Sequence, residues 1–168
     1  MSEPRLTAEE ASAVLARATP IPTTRGAAAT RPAAFVLAAP GATSKIDFTE
    51  LEHRVLLLFA SGDCQGCEDL LGWPRDPAHF GLEADDVVMV VVRTPEERDA
   101  LGEGLWASAQ AFEACRVAGA PFFVLLDPAY ATVATEGVVW GLDSVTQAIA
   151  AARSGAPQVE VNRLEPPR

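Results

Sequence analysis

The chain has 168 residues, of which 49% are hydrophobic and 21% are charged. This length suits one domain, and the hydrophobic content supplies a sizeable core, so wholesale disorder is excluded. Thirteen basic against 23 acidic residues leave a formal net charge of −10, which argues against nucleic acid or an anionic membrane as the main partner. Three cysteines and two histidines are too few for a disulfide scaffold and offer little for a metal cage.

The N-terminal segment is predicted to be an arm outside the main domain. The apolar spacing over Thr7–Ala18, with a capping box at its start, predicts an amphipathic helix. The stretch Thr19–Ala33 is rich in Pro, Thr and Ala, which is typical of a linker. We therefore assign residues 1–33 to a helical arm and linker, residues 34–155 to the domain and residues 156–168 to a flexible tail.

The beginning of the chain does not match an export signal. Met1–Glu10 carries three glutamates beside Arg5, whereas a secretory signal has a basic start and then a long apolar run. The most apolar stretches, Val55–Ala60 and Val87–Val92, are too short to span a bilayer. We therefore expect a cytoplasmic protein without a membrane span. In a reducing compartment, two closely spaced cysteines indicate reactivity or metal binding more than a structural disulfide.

Six segments are predicted to be strands. Three of them are apolar on both faces, which is typical of strands inside a sheet that is covered on both sides. A turn at Asp127-Pro128 predicts that the last two strands pair as an antiparallel hairpin. The six are Phe35–Ala38, Lys45–Phe48, Val55–Ala60, Val87–Val92, Phe122–Leu126 and Thr132–Val139.

Helices are predicted between and after these strands. One begins at the N-cap Thr94 and ends at Gly102 and Gly104. The last opens at Ser144 and ends at Gly155. A βαβ unit followed by a hairpin and a helix predicts an α/β fold, with a mixed β-sheet flanked by helices. The two remaining predicted helices are Cys64–Gly72 and Leu105–Ala114.

The motif that carries chemistry is Cys64-Gln65-Gly66-Cys67, directly after the apolar strand Val55–Ala60. At a helix start, unpaired N–H groups and the helix dipole stabilise a thiolate, so we expect the pKa of Cys64 to lie below that of a free thiol. A second thiol one turn later can attack a mixed disulfide formed at the first. The motif and its context therefore indicate a redox site, with Cys64 as the nucleophile and Cys67 as the resolving thiol.

The sequence leaves two alternative roles open for the cysteine pair. A zinc site needs two more ligands, and only Cys115, His53, His79 or carboxylates are on offer, with no second CxxC and no HxxxH. The pair can also be a structural dithiol or disulfide that does not turn over. Cys115 itself fits a small buried apolar side chain, or a regulatory thiol at the rim of the site.

With these motifs in place, the chain resembles the thioredoxin-like superfamily over about residues 35–153. Two motifs carry the resemblance: an apolar strand followed by CxxC, and an Ala120-Pro121 dipeptide before the apolar strand Phe122–Leu126. The resemblance implies a thioredoxin-like sheet. It also implies that Pro121 is cis and faces Cys64. An X–Pro bond adopts cis at modest cost, whereas other peptide bonds do not.

The same resemblance implies an activity, which is thiol-disulfide exchange with a protein or small-molecule disulfide. The main chain of Ala120 pairs with an incoming substrate peptide, beside Pro121 and the motif residues Gln65 and Gly66. No cofactor and no metal are implied. A separate reductase or dithiol restores the reduced pair.

Several positions depart from thioredoxin itself. Asp63 stands where a Trp usually precedes the first cysteine, and its carboxylate either raises the pKa of Cys64 or caps the helix. Leu58 stands near the place of a buried Asp and cannot relay a proton. These departures favour an alternative function, a catalytically weak binding or adaptor module that keeps the groove beside Pro121.

The segment that leads into the CxxC is similar to that of the alkyl hydroperoxide reductase and thiol-disulfide interchange proteins. In peroxiredoxins a PxxxTxxC pattern surrounds the reactive cysteine. Ser61 fits the Thr place for Cys64, but Leu57 stands at the Pro place. The pattern therefore argues against peroxide reduction and favours the thiol-disulfide interchange branch.

Overall fold

The computed structural model describes residues 32–128 and 133–154. At its centre lies the strand β3 (Val55–Phe59), in which every residue is 4% exposed or less. Strand β4 (Val87–Val92) pairs with β3 in parallel, and β6 (Phe122–Leu126) pairs with it antiparallel. The three segments predicted to be apolar on both faces thus form the middle of the sheet.

Four shorter strands complete the sheet: β1 (Phe35–Ala39), β2 (Ala42–Ile46), β5 (Leu105–Ala107) and β7 (Thr135–Val138). The spatial order is β2-β1-β5-β4-β3-β6-β7. Strand β5 joins β4 in parallel, whereas β1, β2 and β7 pair antiparallel with their neighbours. This mixed sheet confirms the predicted α/β fold class, including the parallel βαβ unit and the closing hairpin.

Helices cover both faces of the sheet. They are α1 (Cys67–Gly72), α2 (Pro95–Leu101), α3 (Ala109–Ala114) and α4 (Leu142–Arg153). Leu56 and Leu58 of β3 share a core cluster with residues of α1 and α4. Leu57 and Phe59 enter a second cluster with residues of α3. None of the helices in residues 32–128 and 133–154 is long and apolar enough to cross a membrane.

The predicted helix Leu105–Ala114 is wrong over its first three residues, which form β5. Leu105 and Ala107 are buried in the core, and β5 pairs in parallel with the end of β4. This pairing supplies hydrogen-bond partners for the backbone groups on the edge of β4 next to β5. A helix at this place would leave those groups unsatisfied. Ser108 then caps α3, because its hydroxyl accepts a hydrogen bond from the amide of Ala111 (3.0 Å).

The predicted strand Lys45–Phe48 overlaps β2 only at its beginning. Asp47 ends the strand, because its carboxylate accepts hydrogen bonds from the amide (3.0 Å) and hydroxyl (2.7 Å) of Thr49. These bonds cap a short 3₁₀ turn, Phe48–Glu50. Local side-chain hydrogen bonds therefore end the strand earlier than the weak alternation of apolar and polar residues predicts.

The last helix begins at Leu142, two residues before the predicted start at Ser144. The hydroxyl of Ser144 donates to the carbonyl of Gly141 (2.7 Å), which ties the first turn together. Val145, Ile149 and Ala152, whose spacing places them on one face of this helix, are buried. The predicted helix Thr7–Ala18, the linker before Pro32, the cap Gly155 and the tail 156–168 lie outside the described residues.

A buried ion group lies at the end of the sheet opposite the CxxC motif. The Arg54 guanidinium donates to Asp127 (2.9 Å) and to Asp86 (3.4 Å), and the two carboxylate side chains are 8% and 5% exposed. Desolvation opposes the charge of Arg54, but the hydrogen bonds and charges of the carboxylates outweigh it and raise the guanidinium pKa. This group ties the start of β3 to β4 and to the end of β6.

We expect Arg54→Met to lower the free energy of unfolding by roughly 2–4 kcal/mol, because two buried carboxylates lose their cation. Chemical denaturation at neutral pH measures the loss. Lys45→Met, which removes an exposed cation from the edge strand β2, is the matched control and should change stability by less than about 0.5 kcal/mol. Equal losses in both variants would contradict a specific role for the buried group.

Candidate active site

The CxxC motif lies at the carboxyl end of β3. The amide of Ala60 still donates to the carbonyl of Val91 in β4 (2.9 Å), and the chain then leaves the sheet in a series of turns. Cys64 and Cys67 form a disulfide, with their Cα atoms 5.3 Å apart. Cys64 is half-buried, whereas Cys67 is only 1% exposed. The two sulfur-bearing residues therefore differ sharply in their access to solvent.

The predicted helix Cys64–Gly72 begins three residues later than expected. Gly66 is the N-cap of α1 and Cys67 is its first residue, while the amide of Cys67 donates to the carbonyl of Cys64 (3.3 Å). Cys64 thus lies three residues before the first residue of α1, whereas the sequence predicts that it opens the helix.

The loop before β6 lies against the CxxC turn. Its Ala120–Pro121 peptide bond is cis, the conformation that the resemblance implies. A Cβ built on Gly66 would lie 3.5 Å from Cγ of Pro121, and the carbonyl of Pro121 accepts a hydrogen bond from Val139 (3.1 Å). Ala120 and Cys64 pack against the same core cluster. The structure thus brings the predicted site residues Cys64, Cys67, Gly66, Ala120 and Pro121 together, with Gln65 exposed beside them.

Two tryptophans follow elements that border this site, α1 and β7. Trp73 follows α1, is half-buried and packs edge-on to Phe80, with ring centroids 6.1 Å apart. Trp140 is 50% exposed and directly follows Val139, the partner of Pro121. A half-exposed indole side chain therefore directly follows the residue that pairs with Pro121.

The immediate surroundings of the cysteines hold few polar groups. Asp63, directly before Cys64, is exposed. Leu58 is fully buried in the same core cluster as Cys67, and β3 consists only of apolar residues. No acid of β3 therefore lies beside the buried cysteine, as the departures from thioredoxin predict.

The other candidate residues lie away from this site. Cys115 is fully buried in the second core cluster, which confirms its interpretation as a core side chain. His53 is exposed, and His79 packs edge-on to Phe80. Among the residues that the structure describes, no three His, Cys, Asp or Glu side chains are grouped so that they could hold a metal ion.

Sequence reasoning misses one residue of the site, Glu97. Glu97 lies in the first turn of α2 and is half-buried, and its carboxylate accepts hydrogen bonds from the amides of Gly62 (2.8 Å) and Arg93 (3.2 Å). The capping pattern predicts the local bond from the Glu97 amide to the hydroxyl of Thr94, which is present (3.1 Å). The contact with Gly62, 35 residues earlier, leaves no signal in a local pattern.

No protein-family model and no curated protein matches the chain. Solved structures do match it. A protein described as thiol:disulfide interchange protein DsbE from Chlorobium tepidum is 20% identical, with 73% of this chain and 95% of that chain covered and a TM-score of 0.56. The exposed lipoprotein thioredoxin Etrx1 of Streptococcus pneumoniae is 20% identical, with 70% and 98% covered and a TM-score of 0.52.

A third structure, described as a protein disulfide isomerase from Bacteroides thetaiotaomicron, is 15% identical, with 81% of this chain and 94% of that chain covered and a TM-score of 0.52. These likenesses, with the sheet order and the helices on both faces, show that the chain has the thioredoxin-like fold. In this chain the fold carries a disulfide-bonded CxxC pair at the end of its central strand.

The exposure of the three cysteines predicts the order in which they react after reduction. Iodoacetamide should modify Cys64 first, and Cys67 and Cys115 only after local opening, because both are buried. Timed alkylation with peptide mass mapping measures the three rates. In Cys64→Ser the fast phase should vanish. A fast phase on Cys67 or Cys115 in the folded protein would contradict the burial described above.

Proposed function

We propose that the protein is a thiol-disulfide oxidoreductase that reduces or exchanges disulfides through Cys64 and Cys67. The observation that carries this proposal is the unequal exposure of a bonded cysteine pair at the carboxyl end of the central strand. Exchange through a cysteine pair needs one sulfur that a partner can reach and a second close enough to attack the mixed disulfide formed at the first. The half-buried Cys64 and the buried Cys67 satisfy this requirement.

The proposed reaction starts from the reduced pair. The Cys64 thiolate attacks one sulfur of a partner disulfide, forms a mixed disulfide and releases the other partner sulfur as a thiolate. The Cys67 thiolate then attacks the Cys64 sulfur, which releases the second partner thiolate and closes the Cys64–Cys67 disulfide. The partner gains two electrons and two protons, and the cysteine pair loses them.

The surroundings of Cys64 support an extended peptide as the substrate. The Pro121 loop lies against the CxxC turn at Gly66, so a peptide that pairs with the main chain of Ala120 also lies next to Cys64. Gln65, within the CxxC motif, and Trp140, directly after the partner of Pro121, offer exposed side chains for contact with such a peptide. We therefore favour a protein disulfide over a small-molecule disulfide.

The pair needs a source of electrons to turn over repeatedly. A separate reductase or a small dithiol supplies them by the same exchange chemistry in reverse, so the proposal requires no cofactor or metal. The cytoplasmic location expected from the sequence remains part of the proposal, since a reducing compartment keeps such a pair supplied.

An adaptor module is the second candidate, and two observations favour it. Leu58 leaves β3 without an acid or base beside Cys67, and Asp63 places a carboxylate next to Cys64 in sequence. Both features slow thiolate formation. In this alternative the groove beside Pro121 binds a partner peptide, and the disulfide is structural.

Trapping the mixed disulfide distinguishes the oxidoreductase from the adaptor module. In Cys67→Ser the second step is blocked, so we expect the reduced variant to accumulate a covalent adduct with insulin that dithiothreitol releases. Non-reducing electrophoresis and intact mass measure the adduct. Cys64→Ser should form none, and Cys115→Ala, with the CxxC pair intact, should exchange at the wild-type rate.

The outcome that contradicts the proposal is equally specific. If Cys67→Ser forms no adduct and the wild type does not accelerate insulin reduction by dithiothreitol, exchange is excluded. Binding of a partner peptide that survives in Cys64→Ser would then support the adaptor module.

A further inference from the structure

Three hydrogen bonds connect the loop before the CxxC motif to the loop that carries Pro121. The amides of Gly62 (2.8 Å) and Arg93 (3.2 Å) donate to the two carboxylate oxygens of Glu97. The Arg93 guanidinium then donates to the carbonyl of Ala118 (3.3 Å), two residues before Ala120. We call this series, Gly62–Glu97–Arg93–Ala118, the strap.

Two members of the strap, Glu97 and Arg93, are each held by a further contact. The amide of Glu97 donates to the hydroxyl of Thr94 (3.1 Å), which fixes Glu97 in the first turn of α2. The Arg93 guanidinium carbon lies 4.2 Å from the centre of the Phe112 ring, in cation–π geometry, and Phe112 is buried in the core. The first turn of α2 and the buried ring of Phe112 therefore hold the strap in place.

The carboxylate of Glu97 has two acceptor oxygens, one for each backbone amide of the strap. Each oxygen of Glu97 accepts one backbone amide, and such charge-assisted bonds are stronger than bonds between neutral groups. Within the described residues neither Glu97 nor Arg93 forms an ion pair, so no charged partner draws them away from these bonds. Gly62 lies two residues before Cys64, so this bond fixes the chain that carries the reactive sulfur.

We propose that Glu97 and Arg93 are positioning residues, which hold Cys64 and the peptide-binding main chain of Ala120 at a set separation. This inference rests on the proposed function. A protein disulfide has to bind at two positions at once, because its backbone pairs with Ala120 while its sulfur contacts Cys64. A small disulfide needs only Cys64. Loss of the strap therefore impairs reaction with protein disulfides selectively.

The test compares two disulfides on the full chain. Pre-reduced protein reacts with insulin or with bis(2-hydroxyethyl) disulfide, a small uncharged disulfide, and the second-order rate constants are measured. We expect Glu97→Ala to lower the insulin rate about tenfold, as a misplaced reactive group does, and to leave the small-disulfide rate within about twofold. Glu97→Gln keeps one oxygen acceptor and should recover part of the insulin rate.

Glu96→Ala is the matched control. Glu96 lies next to Glu97 in the same first turn of α2 and is exposed, so its removal changes the charge equally without touching the strap. Both rates should equal those of the wild type. Arg93→Ala should reproduce the selective loss. The double variant with Glu97→Ala should lose little more than either single variant, because both changes break one series of bonds.

A structural measurement tests the strap independently of activity. Hydrogen exchange at the Gly62 amide should be slow in the wild type and in Glu96→Ala, and fast in Glu97→Ala. If Glu97→Ala does not fold, Glu97→Gln carries the exchange comparison with a smaller expected change, because it keeps one oxygen acceptor, and Arg93→Ala carries the comparison of the two disulfides.

The outcomes separate the two proposals. Equal losses with both disulfides, or no loss with either, would overturn the positioning role while leaving exchange intact. If the wild type reacts with neither disulfide, the proposed function fails. Unchanged exchange at Gly62 in Glu97→Ala would show that the strap is absent in solution.

Discussion

The burial of β3 on both faces is the constraint on which the rest of the structure depends. Because β3 points alternate side chains into two separate core clusters, both of its faces are covered, and it lies inside the sheet with β4 on one side and β6 on the other. The directions of these neighbours then place the site. Strand β4 runs parallel and ends where β3 ends, whereas β6 runs antiparallel and begins there. The CxxC turn, the strap residues after β4 and the loop before β6 therefore meet at one edge.

That shared edge explains how a site with few polar groups can still be specific. The cysteines lie on an apolar core, and the three loops beside them are joined by hydrogen bonds between backbone groups and the side chains of Glu97 and Arg93. In such a site the relative position of the loops sets what can react, since no acid of β3 assists the sulfur atoms. The proposed exchange function and the proposed strap are thus connected, because the first needs the geometry that the second maintains. The ion group around Arg54 holds the same three strands at their other ends.

Sequence patterns predict the parts of this fold in which burial is extreme. The apolar runs of β3, β4 and β6 are five or six residues long, and their predicted bounds agree with the structure within one residue. Strand β5 has only three residues, too few to show a strand period, so its identity depends on pairing with β4. The CxxC motif and its place after an apolar strand predict a redox pair, and the resemblance to the thioredoxin-like superfamily implies the cis bond before Pro121. The hydrogen bond between Gly62 and Glu97 depends on the alignment of β3 beside β4. The spacing of residues within one segment does not encode that alignment.

The most direct test of the central claim is the equilibrium redox potential of the Cys64–Cys67 pair, measured by thiol-alkylation mass shift in graded glutathione buffers. Exchange chemistry predicts a single two-electron transition, and a working cytoplasmic reductant places it near or below the glutathione poise of roughly −220 to −320 mV. A transition well above that range would indicate an oxidant or an isomerase and would contradict the cytoplasmic reductant. If the pair shows no transition and both thiols stay inert across the buffers, Cys64 and Cys67 do not exchange disulfides.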